Sequence, residues 1–182
     1  LKESSKKDEN FFVLIGKDTR ISGSMLESAL IAGFNSVGVN IIKLGIISTP
    51  AVSYLTNKTD AIGGVMISAS HNPIEDNGIK FFSEKGFKLT DEEELEIEEY
   101  IFNEKKITTP IGTEVGDIIK REKLIHQYLD YLEDTVQTSF AGYKIVLDCA
   151  NGAAYEIAPQ IFNKLGAEVI AVNDKPDSKQ IN

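Results

Sequence analysis

The chain has 182 residues, 42% hydrophobic and 26% charged, the balance of an ordinary globular protein rather than a disordered one. Its formal charge of −9 comes without a basic stripe, which argues against nucleic acid or a membrane surface as partner. A single cysteine, Cys149, excludes an internal disulfide and a multi-cysteine zinc site, while the lack of any apolar run near ~20 residues or of a leading apolar segment points to a cytoplasmic protein.

Leu1 to Asn10 is polar and charged and reads as a lead-in. Phe11 to Ile15 then reads as a buried strand that delivers a polar loop, Gly16 to Gly23. Ser24 and Glu27 have capping-box spacing; Leu26, Ala29, Leu30, Gly33, Phe34 and Val37 share one helical face, and Gly38 can end the helix. A loop that precedes a helix start offers unpaired amides to an anion, and Lys17 and Arg20 add charge there, although solvated surface charge explains the same residues. Val39 to Leu44 is the next strand. Thr49 as N-cap and Pro50 at the first helical position start a short helix through about Asn57. Strands alternating with helices up to residue 70 predict a parallel, right-handed α/β sheet.

The stretch Ala61 to Phe82, AIGGVMISASHNPIEDNGIKFF, is the chemical focus. Ile62 to Ile67 reads as a strand buried on both faces, and it stops at a run of small and polar residues, Ser68 to Asn72. Pro73 extends Asn72, and Asp76, Asn77 and Gly78 supply a turn before Ile79 resumes an apolar run. A polar loop at the carboxyl end of a buried strand is where open α/β sheets place ligands. A serine hydrolase elbow needs glycine two residues on either side of the nucleophile, and Ser68 and Asn72 occupy those places around Ser70. Phosphoryl transfer asks instead for an oxygen that carries the group, donors for its oxygens, a hard cation and a proton acceptor. Ser70 can carry it, His71 and the loop amides can donate, and Lys80 can offer charge or a proton.

The segments ISASHNP and DNGIKFF resemble the phosphoserine loop of the α-D-phosphohexomutases, and GKDTRISG, LGIISTP and GVMISASHNP are most similar to the phosphoglucosamine mutase branch. The resemblance implies that Ser70 carries the phosphoryl group and that its phosphate helps to hold one magnesium ion. It implies that Lys80 lies near the reacting hydroxyl, that His71 flanks the phosphoserine, and that the loop of Arg20 supports it. The substrate it implies is a phosphorylated amino sugar, with glucosamine 6-phosphate and glucosamine 1-phosphate interconverted through a bisphosphate. Rival readings are a phosphomannomutase or phosphoglucomutase of the same superfamily and a noncatalytic sugar-phosphate-binding module.

Beyond Phe82, Ser83 to Gly86 reads as a turn, and Thr90 and Glu93 form a second capping box for a helix to about Phe102. Its carboxylates, Asp91 to Glu99, suit a solvated helix start better than a cation site. Asn103 to Gly116 is a connector, and Ile118, Ile125, Tyr128, Leu129, Leu132 and Val136 predict a helix from Asp117 to roughly Thr138. After Ser139 to Gly142 the opening pattern recurs: strand Tyr143 to Leu147, loop Asp148 to Ala154, helix Tyr155 to Leu165, Gly166 and strand Ala167 to Val172. LDCANGAA, Leu147 to Ala154, resembles the start of the family's second domain.

The expected fold class is therefore α/β: a mixed, mainly parallel sheet sandwiched by helices over residues 1–138, followed by a partial second α/β domain over 139–182. A single βαβ unit cannot cover both faces of its sheet. That predicts an incomplete protein whose unpaired sheet edge favours self-association. The resemblance further implies that the family's metal loop and its sugar-binding and phosphate-binding segments lie outside this sequence, so that the piece is inactive alone.

Overall fold

The computed structural model describes residues 11–103, 106–121, 123–177 and 180–181; the lead-in expected at Leu1 to Asn10 lies outside them. Three strands form the centre: β1 (Phe12–Lys17), β2 (Asn40–Ile46) and β3 (Gly63–Ile67). They are parallel, with β1 between its two neighbours. Because successive residues of a strand point to opposite faces, the apolar run of β1 feeds two cores at once. Phe12 and Leu14 join Ile42, Leu44 and Met66 on one face, while Val13 and Ile15 join Ile41, Val65 and Ile67 on the other.

Helices cover both faces. α1 (Gly23–Ser36) sets Leu26, Leu30 and Phe34 against the second core, and α2 (Thr49–Lys58) sets Ala51, Val52 and Leu55 into the first. The approach of α2 is close enough that a Cβ on Gly16 would come within 2.6 Å of Val52 Cγ2, so glycine is needed there. On one side of the sheet, β4 (Ile79–Ser83) pairs antiparallel with β3, placing Ile79 opposite Ile67. The sheet is thus mixed but mainly parallel, as expected.

Helix α3 (Asp91–Phe102) begins with the expected capping box of Thr90 and Glu93 and buries none of its residues, in keeping with a solvated acidic face. Three other local expectations fail. The helix α1 starts at Gly23 after Ser22, and no capping box links Ser24 to Glu27. Glu27 is buried instead, taking Lys17 Nζ at 2.9 Å and Lys43 Nζ at 3.1 Å on the same carboxylate oxygen. At α2 the N-cap is Ser48 rather than Thr49.

The third correction is larger: Asp117 to Thr138 is not one helix. Ile118–Ile119 is a short strand, β5, that pairs with Ile41 and Ile42 of β2, and α4 (Leu124–Asp134) follows it. The edge of β2 holds backbone groups that need partners, and satisfying them outweighs a helical spacing of apolar side chains. The Asp117 carbonyl accepts the Ile41 N–H at 2.8 Å, and the Asp117 N–H donates to Asn40 Oδ1 at 2.9 Å.

The last elements are β6 (Lys144–Asp148), α5 (Ile157–Lys164) and β7 (Glu168–Val172), a parallel two-stranded βαβ unit in the predicted order. α4 joins this unit to the first sheet. Leu124, Tyr128 and Leu129 of α4 share a core with Leu55 of α2 and Ile157 of α5. Lys164 of α5 reaches Asp130 and Glu133 of α4 at 2.7 and 2.6 Å, and these carboxylates raise its ammonium pKa above the ordinary lysine range. Among the described residues no helix is long and apolar enough to cross a membrane.

Candidate active site

Two loops leave the carboxyl ends of neighbouring parallel strands, Asp18 to Ser22 after β1 and Ser68 to Gly78 after β3, and they meet. Asp18 N–H donates to the Ile67 carbonyl at 3.0 Å, extending the strand pairing into the loops. The serine loop is tied at its base by Ser68 N–H to the Gly78 carbonyl at 2.8 Å. Buried Ser68 then accepts the Ser70 N–H on its hydroxyl at 3.0 Å, and Asn72 N–H closes a turn onto the Ala69 carbonyl at 3.1 Å. Ser70 itself is exposed and left-handed, with φ at 54°. That region is sterically costly for a residue with a Cβ and is held only where the surroundings enforce it.

The antiparallel turn back into β4 supplies the cation. Lys80 is paired with Met66, one step below the loop, and its Nζ donates to Ser70 Oγ at 2.8 Å. Serine and lysine, ten residues apart in sequence, are thereby in direct contact. His71 is exposed on the same loop next to Ser70.

Arg20 does something the sequence only hinted at. Its side chain is buried, and all five guanidinium N–H groups are used. Nε donates to Asp18 Oδ2 at 3.1 Å, one terminal nitrogen reaches the carbonyls of Pro73 and Asp76, and the other reaches those of Ser70 at 3.0 Å and Asn72 at 2.8 Å. Arg20 therefore holds the serine loop from behind by four of its carbonyls. Lys17 is likewise engaged, by Ser24 Oγ at 3.0 Å and by Glu27. The pair of cations expected to draw an anion to the start of α1 is committed to protein partners instead.

Sequence reasoning passed over three contributors. Asp18 orients Arg20 through both carboxylate oxygens, a signal available in principle because an aspartate readily accepts from the backbone two residues on. Asn77 Nδ2 donates to Ser22 Oγ at 2.8 Å and fixes the far side of the serine loop to the β1 loop. Thr19 Oγ1 donates to the Asn151 carbonyl at 2.6 Å, a partner 132 positions away that no local pattern announces.

A magnesium ion asks for about six oxygen ligands. Among the described residues no group of three or more His, Cys, Asp or Glu side chains could hold a metal ion. The loop carbonyls of Ser70, Asn72, Pro73 and Asp76 face the Arg20 guanidinium. These residues do not form a self-contained magnesium site.

The family model described as phosphoglucomutase/phosphomannomutase, alpha/beta/alpha domain I, matches residues 2–108, more than half of the chain. The chain belongs to this family. The phosphoglucosamine mutase of Clostridioides difficile is 56% identical over 176 residues, covering 96% of this chain and 39% of that protein. The phosphoglucosamine mutase of Carboxydothermus hydrogenoformans is 51% identical over 178 residues, covering 97% and 40%. A crystal structure of a phosphoglucomutase/phosphomannomutase family protein from Burkholderia thailandensis superimposes with a TM-score of 0.78 at 22% identity, over 92% of this chain and 37% of that one. The chain thus spans about two-fifths of the length of these relatives. The family membership and the α/β fold predicted from the motifs are both borne out.

Proposed function

We propose that this chain is the phosphoserine-bearing part of a phosphoglucosamine mutase, in which Ser70 carries the phosphoryl group exchanged with glucosamine 6-phosphate and glucosamine 1-phosphate. The observation that carries the reading is the 2.8 Å contact between Lys80 Nζ and Ser70 Oγ on a loop whose shape is enforced from behind. Relatives over 50% identical that bear that name support the substrate.

In the forward step the bond between phosphorus and Ser70 Oγ breaks and a bond from phosphorus to the sugar hydroxyl forms, giving a sugar bisphosphate. One proton must pass from that hydroxyl to Ser70. Lys80 stands where it can give a proton to the leaving Oγ and take one from the sugar, and its positive charge favours the oxyanion as it develops. After the bisphosphate reorients, its other phosphate returns to Ser70. Arg20 positions the loop through its carbonyls, and His71, exposed beside Ser70, is the donor that this reading assigns to the phosphate. A magnesium ion would neutralise phosphate charge; this chain would contribute one ligand, a phosphate oxygen on Ser70, and the remainder would come from outside it.

The same reading divides the chain into a first domain, residues 1–138, and the opening of a second, 139–182. It sets the work in the cytoplasm, with a phosphorylated amino sugar as partner. β6 and β7 pair only with each other among the described residues, and those open edges support self-association.

Peptide mass spectrometry of the purified protein should find phosphate on Ser70, and Lys80→Gln in a protein extended to the length of its relatives should lower turnover by roughly 10²–10⁴-fold. Turnover with mannose or glucose phosphates in preference to glucosamine phosphate would reassign the substrate. A Ser70 that takes up no phosphate from sugar bisphosphate would favour a noncatalytic binding module.

A further inference from the structure

Four described residues other than glycine have positive φ: Ser70, and then Ala150 at 48°, Asn151 at 49° and Asn173 at 52°. The last three belong to the second βαβ unit, at the carboxyl ends of β6 and β7. Left-handed backbone at residues with a side chain collects where surrounding contacts dictate its shape, and such places are often functional.

The contacts of that loop are all present. Asp148 Oδ1 accepts the Ala150 N–H at 2.9 Å and Asn173 Nδ2 at 2.8 Å, and Asn151 N–H donates to the Asn173 carbonyl at 2.9 Å. The result turns the Asn151 carbonyl outward, where it accepts the hydroxyl of buried Thr19. Thr19 lies between Asp18 and Arg20, whose side chains are locked together, and Arg20 grips the Ser70 carbonyl. A path of hydrogen bonds, joined through the backbone between Thr19 and Arg20, therefore runs from one left-handed loop to the other. It begins in the second unit and ends at Ser70.

We propose that the Asp148–Gly152 loop of the second unit is a positioning element for Ser70, acting through Asn151 and Thr19. Neither residue contacts the reacting oxygen. Their work is to fix the Asp18–Arg20 backbone, and with it the carbonyl grip that keeps Ser70 left-handed and its hydroxyl in reach of Lys80. The coupling concerns the loop's shape and stands whatever group Ser70 carries.

The test is amide hydrogen exchange followed by mass spectrometry on the whole 182-residue chain. Ser68, Ser70 and Asn72 report the serine loop, because their N–H groups are bonded within it. Thr19→Val removes the donor, and Asn151→Val disfavours the left-handed carbonyl while leaving the first unit's sequence intact. Each should raise exchange in the serine loop about tenfold, the scale of one lost hydrogen bond, with β1 to β3 unchanged. Thr19→Ser and Asn151→Gly keep the donor and the backbone shape and should match the parent chain. Unchanged exchange in the serine loop with both valine variants would overturn the proposal. So would an equal rise across β1 to β3, or a failure of Thr19→Ser to restore protection. Should Thr19→Val not fold, Asn151→Val alone decides it. Absence of phosphate on Ser70 would count against the mutase reading and leave this result untouched.

Discussion

The loops after β1 and β3 leave adjacent strands at the same end of one sheet, yet they differ in almost every respect. Asp18, Thr19 and Arg20 are 3%, 4% and 2% exposed, while Ser70 and His71 stand in solvent. A buried aspartate and arginine make sense only if each is fully paired, and here the pair's surplus donors are satisfied by the backbone of the other loop. One loop is therefore scaffold, and the other presents the serine to which the proposed function assigns the chemistry. The division lets an exposed, conformationally costly serine be held through its backbone, by Arg20 on its carbonyl and Ser68 on its N–H, while its hydroxyl faces Lys80.

Substitutions that separate chemistry from scaffold sharpen the contrast. The largest effect belongs to Ser70→Ala in a protein extended to the length of its relatives: turnover of glucosamine phosphate should fall by roughly four to six orders of magnitude, as for loss of a nucleophile. The stability of the chain should move by less than about 1 kcal/mol in urea unfolding. Arg20→Met should do the reverse in kind. It leaves Asp18 buried without its partner and four loop carbonyls without donors, so urea unfolding should show a loss of about 3–5 kcal/mol. An Arg20→Met chain as stable as its parent would collapse the distinction between the two loops. Ser70→Gly is subtler, because glycine accepts φ of 54° without the clash of a Cβ. The variant should be about 1 kcal/mol more stable than the parent in urea unfolding, the measure of the backbone strain that the surrounding contacts hold at this position.

What could be read from sequence follows from the range of the interactions. The central strands were legible because burial on both faces demands an unbroken apolar run, and α3 because Thr90 and Glu93 carry their capping partners within four residues. Local patterns misled where a distant partner intervened. Glu27 has the spacing of a cap, but Lys17 and Lys43 draw it inward. Ile118 fits a helical stripe, but the free edge of β2 takes it into the sheet. At the site, Ser70 and Lys80 were legible as neighbours, since a motif states residue types in order, and the structure brings the two side chains into contact. The role of Arg20 was legible only as support, because its four acceptors on the serine loop lie about fifty residues further on and are backbone atoms. Carbonyls have no sequence signature.

The smallest effect tests a third loop against these two. Asp148 closes its loop as a carboxylate, and the Asn173 side chain, followed by the Ala150 N–H, holds its pKa below the ordinary aspartate value. A depressed folded pKa means that the stabilising contribution is complete above the unfolded pKa. It is lost as pH falls through the lower folded value. Resonances of the Asn173 side-chain amide and the Ala150 N–H should therefore hold steady from neutral pH down through the usual carboxylate range, then shift together in stronger acid. Asp148→Asn, which keeps an acceptor and cannot ionise, should flatten that transition. If the Thr19 contact carries the shape of this loop to the serine loop, the Ser70 N–H should shift at the same acid midpoint in the parent chain and lose that step in Asp148→Asn. A Ser70 N–H indifferent to the Asp148 titration would mean that the scaffold ends at Arg20.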